Sequence, residues 1–116
     1  MTVKEYAATL SMQIMRLADM DSAEITQADI PDMIPMDVAA QVRTIAEIEQ
    51  LISLVRGYVE IIRSKQIPQV TFKGLPLYTI DALQIQYHRL LQAGRVRHLE
   101  REDFERIFSK DVPART

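Results

Sequence analysis

The sequence predicts an all-α protein in which two long helices pack as an antiparallel pair and two shorter helices close the core. Three observations lead to this fold class. Apolar residues recur every three or four positions over two long stretches, proline and glycine are few, and 47% of the residues are hydrophobic against 26% charged. The 116 residues suffice for one domain, residues 1–116, with an acidic, proline-bounded loop at 19–35 and a tail at 111–116.

The first long helix is predicted to start at Thr2. Thr2 and Glu5 have the spacing of a capping box, in which the hydroxyl and the carboxylate each accept a hydrogen bond from a free backbone N–H group. An apolar stripe follows at helical spacing and consists of Val3, Ala7, Leu10, Ile14 and Leu17. This stripe predicts an amphipathic helix that buries one face, with Met12 on the opposite, polar side.

The second long helix is predicted from Pro35 to Lys65. Its first stripe consists of Val38, Val42, Ile45, Ile48, Ile52, Val55, Val59 and Ile62, and a second stripe consists of Leu51, Leu54, Tyr58 and Ile61. Apolar residues on two sides indicate burial on two sides, in the core or in an oligomer interface. Gly57 interrupts this helix, which indicates either a close helix crossing or a local bend.

The segment near residues 70–78 favours a short β-hairpin, with a plain loop as the alternative. Val70–Phe72 and Leu77–Tyr78 are rich in strand-forming residues and flank Lys73–Gly74, where a tight turn is sterically easy. A third helix is predicted after Thr79, ending at a Gly94 cap, and a fourth from about Glu100 to Ser109.

The composition argues against an enzyme, a cofactor or a metal site. The chain contains no Cys and only two His, His88 and His98, and its three glycines cannot form a phosphate-binding loop. The carboxylates of residues 100–105 alternate with arginines, which is typical of a solvated helix face. No stretch has the length and apolar purity of a membrane span or a signal peptide. We therefore expect a cytoplasmic protein with no membrane partner.

The methionines are the most unusual feature of the sequence, because all six lie within residues 1–36. Methionine packs adaptably and is common at binding surfaces. The sequence therefore predicts a non-enzymatic protein-binding or assembly module, whose partner is another protein or a second copy. A phage or mobile-element inhibitor, an adaptor and a virion joining protein are settings for such a module. The candidate partner-binding residues are Met12, Met15, Met20, Met33 and Met36. The alternative is that Met15, Met33 and Met36 fill a gap between the loop and the long helices.

The net charge of −2 is unevenly distributed. Residues 1–62 carry four basic and ten acidic side chains, whereas residues 63–116 carry ten basic and six acidic ones. Attraction between the two halves is one explanation. The other is a small nucleic-acid-binding regulator that uses a C-terminal arginine cluster, with salt-sensitive contacts to phosphates. Acidic residues at the start of the fourth helix argue against a helix-turn-helix. The candidate nucleic-acid-binding residues are Arg89, Arg95, Arg97 and Arg101.

Overall fold

The computed structural model of the chain describes residues 1–67 and 74–109 and confirms the all-α class. No strand occurs within these two ranges, and two short 3₁₀ turns lie between the first and second helices. None of the described helices combines the length and the apolar character needed to cross a lipid bilayer. The helices are α1 (Val3–Asp19), α2 (Met36–Ala39), α3 (Ile45–Ser64), α4 (Gly74–Gln92) and α5 (Arg101–Phe108).

Helix α1 begins as the capping signal predicts. The Thr2 Oγ1 atom accepts a hydrogen bond from the Glu5 N–H at 3.1 Å, and the Glu5 carboxylate accepts one from the Thr2 N–H at 2.9 Å. These hydrogen bonds hold the pKa of the Glu5 carboxyl below its ordinary value, because they stabilise the ionised form. The helix buries one face, formed by Val3, Tyr6, Ala7, Leu10 and Leu17.

The predicted continuous helix from Pro35 to Lys65 is wrong, because it divides into α2 and α3. A second capping box causes the break. The Thr44 Oγ1 atom accepts from the Glu47 N–H at 3.1 Å, and the Glu47 carboxylate accepts from the N–H groups of Arg43 at 2.8 Å and Thr44 at 3.1 Å. These bonds hold Thr44 in an extended conformation, which starts a new helix at Ile45.

Helices α1 and α3 run parallel, so the predicted antiparallel arrangement is also wrong. At their C-terminal ends, the Lys65 ammonium donates to the carbonyls of Ala18 at 2.8 Å and Met20 at 2.7 Å. Near their N-terminal ends, Lys4 and Glu47 line the same groove. The parallel arrangement arises because residues 20–44 return along the molecule before α3 begins.

The return segment, residues 20–44, contributes its own row of side chains to the core. Its five aliphatic residues at four- and five-residue intervals are at most 5% exposed: Ile25, Ile30, Ile34, Val38 and Val42. Its polar groups secure it at both ends. The Ser22 hydroxyl donates to the Lys65 carbonyl at 2.8 Å, and Val42 and Ala40 accept hydrogen bonds from the Gln86 side chain. The segment therefore packs against α3 and α4 as a core element.

Helix α4 begins at Gly74, so the predicted hairpin near residues 70–78 is wrong in its second arm. Leu77 and Tyr78 are helical. Pro76 is compatible with this because it lies in the first turn, where the N–H it lacks would have no helical partner. Gly74 packs so closely on the return segment that an added Cβ would lie 2.6 Å from the Asp32 carbonyl oxygen. The first arm, residues 70–72, lies outside the described residues.

Helix α4 ends at the predicted glycine cap. Gly94 has a φ of +69°, its N–H donates to the Leu91 carbonyl at 3.0 Å, and the Arg95 N–H donates to the Leu90 carbonyl at 2.9 Å. This is the Schellman pattern of a terminated helix. The chain then turns back, and the buried Tyr87 hydroxyl accepts a hydrogen bond from the Leu99 N–H at 2.8 Å.

Helix α5 packs back onto α3 and α4 through aromatic contacts and one arginine. The Phe104 and Phe108 rings lie 5.8 and 5.7 Å from the Tyr87 ring. At the C-terminal end of α5, the Arg56 guanidinium donates to the carbonyl oxygens of residues 106, 107 and 109 at 3.2–3.4 Å. A cation placed there also interacts favourably with the negative end of the helix dipole.

Candidate protein-binding surface

The structure places most of the candidate methionines in solvent rather than in the core. Met12, Met15 and Met36 are 66–70% exposed and Met33 is 42% exposed. Met20 differs, because it is half-buried and packs against the hydrophobic core. The interpretation of Met15, Met33 and Met36 as gap-filling residues is therefore wrong. The aliphatic residues of the return segment fill that space instead.

Met12 and Met15 share the outer face of α1, which continues into the groove between α1 and α3. Each methionine lies one helical turn beyond a residue that lines this groove, since Met12 follows Ala8 and Met15 follows Ser11 by four positions. The groove has a volume of about 330 Å³. Its lining residues are Val3, Lys4, Ala7, Ala8 and Ser11 from α1 and Glu47, Gln50 and Leu54 from α3.

The outer face of α3 forms the other half of this surface. Leu54, Gly57 and Ile61 follow each other at helical spacing, and all three are half-buried. Apart from its chain neighbours and the backbone of its own helix, nothing in residues 1–67 and 74–109 lies within 4 Å of the position that a Gly57 Cβ would occupy. A close crossing within this part of the chain therefore does not explain the glycine. Helix α3 also runs through Gly57 without interruption. A second groove, of about 250 Å³, lies on the far side of α3, where Ser53 and Arg56 face Ile107 of α5.

Met33 and Met36 belong to the return segment and not to α1. Met36 begins α2, next to Asp37, whose carboxylate is 3.8 Å from the Met1 amino group. Met33 follows Asp32, which packs against Gly74. Two further exposed apolar residues lie one heptad apart on α4, namely Tyr78 and Ile85. Sequence reasoning missed Tyr78 as an exposed residue of this helix, because it assigned residues 70–78 to a hairpin. Only when residues 74–92 form one helix do Tyr78 and Ile85 lie on the same face.

The arginine cluster is exposed and mostly unpaired. Arg89, Arg95 and Arg97 make no ion pair within the described part of the chain. Arg101, by contrast, pairs with Glu105 at 3.0 Å. Because the chain reverses at Gly94, the arginines flank a helix C-terminus, where the helix dipole favours positive charge.

The α5 carboxylates form surface ion pairs rather than a buried acid–base pair. Arg106 lies 3.5 Å from the Asp103 carboxylate and 3.4 Å from that of Glu49, and these side chains are 42–63% exposed. In residues 1–67 and 74–109, no group of three or more His, Asp and Glu side chains is close enough to hold a metal ion. The Tyr58 phenol is fully buried, and desolvation raises its pKa above the ordinary value.

Comparison with known proteins adds no assignment. No protein-family model, no curated protein and no solved structure matches the chain.

Proposed function

We propose that this protein is a non-enzymatic protein-binding or assembly module that acts through its helix faces. One observation carries the proposal: no methionine is among the buried core residues, and Met12 and Met15 stand about two-thirds exposed on one face of α1. A neighbouring pair of large apolar side chains beside a groove is typical of a contact surface. Methionine suits such a surface because its unbranched, polarizable side chain adapts to different partners.

The charges of the return segment support the same proposal. Asp21 and Asp32 are exposed, and their side chains form no ion pair within the described residues. Such charges steer a partner surface of opposite charge by long-range attraction and raise the association rate more than the affinity. A phage or mobile-element inhibitor, an adaptor and a virion joining protein are settings in which a module of this kind acts.

The test is affinity capture from the native lysate, quantified by mass spectrometry. The double variant Met12→Ser/Met15→Ser is expected to lose the captured partner and to keep the circular dichroism spectrum of the wild type. Met20 is left unchanged because it packs against the core. Ile85→Ser on α4 is the matched control, since it removes a similarly exposed apolar side chain from a different helix. Equal capture by the double variant and the wild type would exclude this face.

A nucleic-acid-binding regulator is the second candidate function, and the unpaired state of Arg89, Arg95 and Arg97 favours it. Contacts to phosphates would make the affinity fall steeply with salt, with a log–log slope of about −0.9 for each phosphate neutralised on duplex DNA. Fluorescence anisotropy with duplex DNA and single-stranded RNA measures this slope. Arg95→Glu/Arg97→Glu is expected to abolish binding. Absence of binding by the wild type at low salt would eliminate this candidate.

A further inference from the structure

The parallel arrangement of α1 and α3 creates one continuous outer face, called here the α1–α3 face. It consists of Lys4, Ala8, Met12, Met15 and Asp19 on α1 and of Gln50, Leu54, Gly57 and Ile61 on α3. The apolar part is central, with Met12 and Met15 on one helix and Leu54 and Ile61 on the other. The space above Gly57 is open. Within the described residues, no element of this chain packs over that glycine.

The apolar side chains of the α1–α3 face are arranged symmetrically along the helix axes. Ser11 and Leu54 both line the groove, and the ends of the helices meet where Lys65 binds the Ala18 carbonyl. The midpoint between Met12 and Met15 is therefore nearly level with Gly57, which itself lies between Leu54 and Ile61. A surface with this arrangement matches its own copy when the copy is turned end to end, as an isologous contact requires.

The charged residues of the α1–α3 face also match a copy that is turned end to end, because opposite charges lie at its two ends. Lys4 lies towards one end of α1 and Asp19 towards the other, and both are exposed. Neither side chain has an ion-pair partner in residues 1–67 and 74–109. An antiparallel copy would bring each Lys4 towards the Asp19 of the other chain, twice in one interface.

We propose that the α1–α3 face binds a second copy of this chain, packed antiparallel about a twofold axis that passes near Gly57. Met12 then contacts Met15 of the second copy, Leu54 contacts its Ile61, and the missing side chain of Gly57 lets the two α3 helices approach closely. This inference rests on the proposed function, since it names the partner of the methionine face. The apolar and the charged features both fit this orientation of the copy.

The size of the face sets the expected affinity. Two adjacent helices of this length present roughly 25 by 20 Å, or about 500 Å² per copy. That area is at the low end for specific interfaces, so we expect a reversible dimer with a dissociation constant on the order of micromolar.

The test is sedimentation equilibrium of the purified full chain from about 1 to about 500 µM, which brackets that range. The wild type is expected to form dimers. Gly57→Leu is expected to weaken dimerisation at least about tenfold, an order-of-magnitude loss typical of a blocked interface centre. The same substitution should raise the thermal midpoint of the dilute monomer, because leucine favours a helix more than glycine does and the added side chain has room there.

A charge-swap series tests the orientation. Lys4→Glu and Asp19→Lys are each expected to weaken the dimer, whereas the double variant, with both charges exchanged, is expected to restore it. Both single changes suit the helix dipole at their positions, so folding is preserved. A wild type that stays monomeric throughout, a Gly57→Leu variant that dimerises normally, or a charge-swap variant that is not restored would overturn the proposal.

The outcomes separate this inference from the proposed function. If the wild type is monomeric but still captures a different protein that depends on Met12 and Met15, the dimer is wrong and the protein-binding function stands. If the monomeric protein shows no capture that depends on these methionines, both proposals fail.

Discussion

The Lys65 side chain joins the C-terminal ends of α1 and α3, and its removal tests the parallel arrangement directly. Its ammonium lies 2.8 Å from the Ala18 carbonyl oxygen and 2.7 Å from that of Met20. Lys65→Met keeps most of the aliphatic stem and removes both hydrogen bonds, together with a positive charge at the negative end of the α1 dipole.

The expected loss in the free energy of unfolding is about 2 kcal/mol. Hydrogen bonds to a charged group contribute about 1.5–3 kcal/mol, and a cation at a helix C-terminus adds about 0.3–1 kcal/mol. The side-chain entropy that lysine regains when released, up to about 2 kcal/mol, offsets part of this. For a domain of this size the change corresponds to a thermal midpoint lower by roughly 10 °C.

Urea unfolding followed by far-ultraviolet circular dichroism measures the loss. The midpoint should fall while the m-value stays constant, because the same surface is exposed on unfolding. Arg95→Met is the matched control, since it removes a cation whose side chain makes no ion pair in the described part of the chain. A Lys65→Met variant within about 0.5 kcal/mol of the wild type, the range of ordinary surface substitutions, would refute the reasoning.

Three further predictions use the same unfolding assay. Gln86→Ala should destabilise by about 1–3 kcal/mol, because it leaves the buried Val42 carbonyl, now 2.9 Å from the Gln86 Nε2 atom, without that donor. Gly94→Ala should cost about 1 kcal/mol, since a φ of +69° is strained for any residue with a Cβ. Tyr58→Phe should be neutral or stabilising at pH 7, because the buried hydroxyl has no hydrogen-bond partner in the described part of the chain. Burial raises the Tyr58 pKa above its ordinary value of 10.0, so this phenol's contribution is complete below that pH and is lost as the pH rises towards the raised value. Between neutral pH and about pH 11 the wild type should therefore lose more stability than Tyr58→Phe, measured as the difference between their urea midpoints.

Local signals predicted the helix ends well where they involved capping chemistry. The spacing of Thr2 and Glu5 identified the start of α1, and Gly94 identified the end of α4. The break between α2 and α3 could have been predicted in the same way, because Thr44 and Glu47 have the spacing of a capping box. The break was missed because the apolar stripe continues across it, from Val38 to Ile62. Local hydrogen bonding at the backbone therefore decided the boundary where periodicity suggested a single helix.

The start of α4 was missed for a different reason. Tyr78 favours a strand by intrinsic propensity, but packing overrides a preference that small. The buried residues of this stretch follow helical spacing, namely Leu75, Pro76, Thr79, Ile80 and Leu83. The contacts that bury them come from distant parts of the chain, which periodicity over a short window does not reveal.

The candidate surface was only partly predictable. The polar-side position of Met12 followed from the α1 pattern, and its exposure agrees with it. The second stripe of α3, by contrast, is divided: Leu51 and Tyr58 are fully buried, whereas Leu54 and Ile61 are half-buried. Which half stays accessible depends on the side from which α1 approaches. That side is set by the path of residues 20–44 rather than by the residues of α3.

The parallel pairing of α1 and α3 also has a consequence for the speed of folding. Two helices joined by a short turn can pack against each other early in folding. Here the residues in contact are far apart in the sequence, since Lys65 and Ala18 are separated by 47 positions. Closing so long a loop costs entropy before any packing compensates it, and contacts distant in sequence slow folding. The protein should therefore fold more slowly than an up-and-down helical bundle of the same length.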